Sequence, residues 1–89
     1  MLTTDQLFLQ LILIFHQNAM IAMGKLKSPV TDKIERDLEQ AKQSIDMLEM
    51  IRDKTKNNLT AELSGTLDHV LTELRLNFVD ESNKQTITT

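Results

Sequence analysis

The run "LFLQLILIFHQNAMIAMG", Leu7 to Gly24, constrains this chain more than any other stretch. Placed on a helix at about 100° per residue, its apolar side chains point in almost every direction. Only Gln10, Gln17 and Gly24, spaced by seven, make a narrow polar or small seam, and His16 and Asn18 flank it unevenly. A helix that is apolar nearly all round needs cover nearly all round. With 89 residues the chain has one modest core, and a chain of this size buries only about 60 to 65% of its unfolded surface. Two further helices cannot wrap the first, so the expected cover is another copy of the same chain. Gln10 and Gln17 then either face water or bond across a symmetry axis.

The competing cover is lipid. A membrane span needs about 20 predominantly apolar residues. Leu7 to Met23 provides 17, interrupted by Gln10, His16, Gln17 and Asn18, and the uninterrupted part, Leu11 to Phe15, is far too short. Buried amides and imidazoles in hydrocarbon are costly, so a protein environment is the preferred reading. Lys25 and Lys27 at the end of the run keep a single-span or peripheral membrane role as the alternative. The opening "MLTTDQ" lacks the basic residues of an export signal and the chain has no cysteine, which together point to the cytoplasm.

Three helices are predicted, over about 4–23, 32–54 and 60–79. Thr3 and Gln6 have capping-box spacing at the start of the first, and Gly24 suits the position just past its end. Pro29 breaks the chain after it, and Asp32, with Glu35 three residues on, is the expected cap of the second. Asn57 or Asn58 suits the left-handed position after that helix, and Thr60 caps the third. In the second helix Ile34, Leu38, Ala41, Ile45 and Leu48 form one stripe, which widens at Met47, Met50 and Ile51. In the third, Leu63, Leu67, Val70, Leu71, Leu74 and Phe78 share a face; Gly65 within it costs roughly 1 kcal/mol relative to Ala. Residues 80–89, with Ile87 as their one apolar side chain, read as a disordered tail after a single domain over 1–79.

The chemistry-bearing residues are few. A net charge of -3, three Phe, and no Trp or Tyr leave neither the electrostatic footprint nor the stacking platform that nucleic acid needs. His69 and Glu73, four apart beside Asp68, read as a surface ion pair rather than a metal site, because no second ligand pair accompanies them. His16 reads as a hydrogen-bonded interface residue. Lys42, Asp46, Glu49 and Arg52 read as a solvated face with an i,i+4 pair, and "KTKNN" as a connecting loop. The sequence holds no nucleophile paired with a base, no phosphate loop and no cofactor fingerprint, so neither catalysis nor a cofactor is expected.

The segment from Phe8 to Phe78 resembles an uncharacterised bacterial family known as domain of unknown function 1844. The resemblance is carried by Ala19 to Gly24, Pro29 to Thr31, Asp37 to Glu39, Ala41, Lys42, Ile45, Asp46, Leu48 to Met50, and Lys54 to Thr60. Asp32 and Asn57 stand where the family pattern has Gly in its two turns. The resemblance implies a small cytoplasmic all-helical protein and brings no activity with it.

The fold expected is therefore all-α: a three-helix unit, a helical hairpin plus a C-terminal helix, whose first helix is buried in a homodimer or tetramer. The expected contact residues are Phe8, Leu11, Ile12, Phe15, Met20, Met23, Met47, Met50 and Ile51. The expected function is a non-catalytic, self-associating interaction or structural module, with an unidentified protein partner as a further possibility. The alternatives are the membrane-associated protein above and a small helical ligand or metal binder using His16 or His69.

Overall fold

The computed structural model describes the backbone of residues 1–87 and the side chains of residues 1–84. Three helices follow one another: α1 (Thr4–Ala22), α2 (Leu38–Lys54) and α3 (Ala61–Ile87). No strand occurs among the described residues. α1 packs chiefly on α2, α2 on α3, and α1 less extensively on α3. The core consists of Ile12, Ala19, Ala22 and Met23 from α1 and its cap, Ala41, Ile45, Leu48 and Ile51 from α2, and Leu67, Val70, Leu71 and Leu74 from α3.

The ends of α1 are set locally. The Thr3 hydroxyl accepts from the Gln6 amide at 3.1 Å, and the Gln6 side chain accepts from the Thr3 amide at 2.8 Å, a complete capping box. At the other end, Gly24 N–H donates to Ile21 O at 3.0 Å and Lys25 N–H to Met20 O at 2.9 Å. This two-bond closure requires a left-handed residue at Gly24, whose φ is +81°. Asp32 (φ +57°) and Asn57 (φ +66°) also lie in the left-handed region, which is why glycine suits both turns.

The start of α2 corrects the sequence expectation. The helix begins at Leu38, capped by Asp37 through a 3.2 Å bond from the Gln40 amide, and not at Asp32. Asp32 and Asp37 both have a helix-starting pattern, and tertiary contacts decide between them. The Asp37 N–H donates to Ala22 O at 2.7 Å, and Arg36 reaches α3, so residues 25–36 are folded back against the other helices instead of extending α2. Ile34 accordingly leaves the α2 stripe and sits beside Gly24, half exposed.

The C-terminal segment is the second correction. Residues 80–87, expected as disordered, continue α3; residues 88 and 89 lie outside the described residues. Lys84 bonds Asp80 at 3.3 Å and Glu81 at 3.0 Å, pairs one helical turn apart that favour the helix. Glu81 also receives Lys25 and Arg36 from the α1–α2 connection. A composition count registers such a segment as polar and misses this charge pairing.

α3 starts as expected, with the Leu63 amide donating to the Thr60 hydroxyl at 3.2 Å. A Cβ added at Gly65 would meet nothing within 4 Å, and this helical position needs no special φ. Gly65→Ala is therefore expected to stabilise the chain by about 0.5–1 kcal/mol, seen as a rise in the urea midpoint with an unchanged slope. A fall in the midpoint would mean that the glycine serves a contact made outside this chain.

Candidate interaction face

α1 presents two different sides. Ile12, Ala19, Ala22 and Met23 are buried, and Phe8, Phe15 and Met20 are partly buried against the same core. Away from the core, Leu7 is 51% exposed, Leu11 38% and Ile14 54%, and Leu13, 49% exposed, lies to one side of these three. Asn18 continues this line and is exposed, followed by the partly buried Ile21. Leu7, Leu11, Ile14, Asn18 and Ile21 are spaced 4-3-4-3 and fall within an arc of about 80°. That is the spacing of a two-helix seam, with Asn18 its one polar member. Gln10 and Gln17, also exposed, run along one edge of it. The seven-residue polar line read from the sequence is thus the border of an apolar stripe.

At its C-terminal half the seam opens onto a groove of about 720 Å³ between α1, α2 and their connection. Asn18, Ile21 and Phe15 line one wall, Gln43, Ser44 and Met47 of α2 another, and Glu35, Arg36 and Asp37 bring charge to its edge. Met47 is 42% exposed. α1 carries Asp5 as its one charged residue, and none occurs between Asp5 and Lys25, so the seam is electrically neutral.

The nine expected contact residues separate into three groups. Ile12, Met23 and Ile51 are buried within the chain's own core. Phe8, Phe15 and Met20 pack partly against it, while Leu11, Met47 and Met50 are exposed. The sequence reading passed over Leu7, Ile14 and Asn18, which the fold leaves on the open face.

The ionisable residues form contacts within the chain. Glu73 bonds His16 across α1 and α3, with Nε2 3.4 Å from Oε1, and this corrects the expected pairing with His69. His16, read as an interface residue, is half-buried within the chain's own fold, whereas His69 is exposed. Asp68 lies 3.9 Å from Arg52. The Lys42–Asp46 pair forms at 3.1 Å. Glu49 turns to Arg75 of α3, whose Nε donates to it at 3.0 Å. Lys25, considered above as a membrane flank, is bound to Glu81 at 3.0 Å. Among the described residues, no three His, Asp or Glu side chains gather into a set that could hold a metal ion. Among the same residues, no helix is long and apolar enough to cross a membrane.

A compact three-helix unit with an apolar seam on one helix is the class of protein these features define. Residues 5–81 match the family described as domain of unknown function 1844, and the chain belongs to that family. No curated protein and no solved structure matches the chain.

Proposed function

We propose that this protein is a non-catalytic interaction module of the cytoplasm that associates with a second copy of itself through the outer face of α1. The exposed Leu7–Leu11–Ile14 stripe on the side of α1 away from the core carries this reading. An apolar strip bordered by polar residues is the usual mark of a contact surface. Helices that lie on lipid display Lys and Arg on their polar side; α1 has neither, which favours a protein partner over a membrane surface. The cysteine-free composition supports the cytoplasmic placement.

The test is solution mass by light scattering on the full chain without detergent. A single species of twice the chain mass is expected. Leu11→Asp and Ile14→Asp should each lower it to the monomer mass while helicity is retained, because neither side chain belongs to the core. Glu39→Gln, on the exposed side of α2, should leave the dimer intact. A wild-type monomer at high micromolar concentration, or recovery with vesicles only, would overturn this reading.

A further inference from the structure

We infer that residues 32–36 are a convertible strap: tied to Glu81 they fold back as a loop, and released from it they join α2 as further helix. This goes beyond self-association and does not depend on it. Both ends of the α1–α2 connection are tied to one carboxylate near the end of α3. Lys25, at the start of the connection, donates to Glu81 Oε2 at 3.0 Å. Arg36, at its other end, has Nε 3.5 Å from Oε1 and donates as well to the Glu81 main-chain oxygen. Between these ties Leu26, Val30 and Ile34 are exposed, and the turn is closed by Ser28, whose N–H donates to Lys33 O and whose main-chain oxygen accepts from the Asp32 N–H, both at 2.8 Å.

The tied form overrides a helix that the same residues encode. Asp32 is held at φ +57°, left-handed backbone that a residue with a Cβ disfavours, and Asp37 at φ -144° and ψ 93°, outside helical geometry. Continuing α2 back to Asp32 would relieve both, make Asp32 an N-cap with Glu35 three residues on, and give main-chain acceptors to the first-turn N–H groups of α2. Ile34 would rejoin the Leu38, Ala41 and Ile45 stripe, and Asp32 would stand one turn from Arg36. Against this, Glu35 would stand one turn from Glu39, a like-charge pair, and the Asp37 N–H would leave Ala22 O. At about 100° per residue, Arg36 of the longer helix falls about 140° round from Glu49, the α2 residue that bonds Arg75 of α3, and so turns away from α3. The longer helix and the Arg36–Glu81 tie thus exclude one another, which makes the segment two-state. Ser28, Pro29 and Val30 of the same connection wall the groove between α1 and α2, so conversion reshapes that groove together with the helix.

The test reads main-chain Cα chemical shifts and amide exchange of the full chain by NMR. Residues 33–36 of the wild type are expected to have non-helical shifts. In Glu81→Gln and in Arg36→Gln they should become helical, and the amide of residue 36 should exchange about tenfold more slowly as it gains the Asp32 oxygen. Arg36→Gln leaves Glu81 with Lys25 and Lys84, so it decides the matter even where Glu81→Gln fails to fold. Adding Asp32→Gly to Arg36→Gln favours the left-handed turn and removes the capping carboxylate, and should return residues 33–36 to their wild-type shifts. Random-coil shifts at 33–36 in Arg36→Gln would overturn the inference, because the strap would then loosen without converting. Wild-type shifts in Arg36→Gln would overturn it as well, because the loop would then hold without its tie.

Discussion

Leu71→Ala is expected to destabilise the chain by about 3–4 kcal/mol and to lower its melting temperature by roughly 15–25 °C. Leu71 has no exposed surface and sits in the cluster that α1, α2 and α3 share. Removing its isobutyl group loses the transfer free energy of the buried carbons and leaves a cavity that a three-helix core closes only in part. A domain of this length has about 4–13 kcal/mol to lose, so this one substitution removes a large fraction of its stability. Leu76→Ala on the same helix is the control: Leu76 is 68% exposed, and its change should fall within about 0.5 kcal/mol. Urea unfolding followed by circular dichroism measures both. Equal losses at the two positions would mean that the outer face of α3 is covered by something beyond this chain.

Leu71 was also among the residues most legible in the sequence. The α3 stripe, the capping box at Thr3 and Gln6, the left-handed Gly24 and the Thr60 cap all depend on neighbours a few positions away. Each is written in local spacing. The start of α2 is not local. Asp32 and Asp37 offer comparable caps, and the choice falls to bonds from residues 36 and 37 to α3 and α1. The same holds for the end of α3. The Lys84 pairs to Asp80 and Glu81 have readable helical spacing, but Lys25 and Arg36 come to Glu81 from 56 and 45 positions away.

The exposed stripe of α1 was hidden for a different reason. Its 4-3-4-3 spacing is present in the sequence, but almost every other position of α1 is apolar as well, so no subset stands out. Packing divides the helix: α2 and α3 claim Ile12, Ala19, Ala22 and Met23, and Leu7, Leu11, Leu13, Ile14 and Asn18 are left exposed. A helix apolar on all sides is thus only partly covered by its own chain, one side packed on α2 and α3 and the other left open. Glu73 teaches the same lesson for charge. Sequence proximity favours His69, whereas the fold brings His16 of α1 to Glu73 of α3.

Glu81→Gln should cost about 2 kcal/mol near neutral pH, and the cost should disappear in acid. Glu81 is the one buried charged residue among those described, at 7% exposure. Lys25 and Lys84 each donate to its Oε2 at 3.0 Å, Arg36 Nε lies 3.5 Å from Oε1, and the Arg36 guanidinium also donates to the Glu81 main-chain oxygen. The hydrogen bond from Lys25, and then that from Lys84, hold the carboxyl below its usual value of 4.5 against the opposing effect of burial. The unfolded chain therefore takes up the proton at a higher pH than the folded one. The stabilisation is complete above the ordinary carboxylate range and is lost as pH falls through the lowered value. On the alkaline side, the hydrogen bond to Glu81, followed by that to Asp80, holds the Lys84 ammonium above 10.5. That contribution is present below the usual lysine range and is lost as pH rises through the raised value. The difference in unfolding free energy between wild type and Glu81→Gln should thus be level around neutrality and close below pH 4.5, measured by urea titration at a series of pH values. A difference that persists unchanged far into acid would assign the loss to altered packing. A difference that closes would identify charge as what fastens the α1–α2 connection to the end of α3.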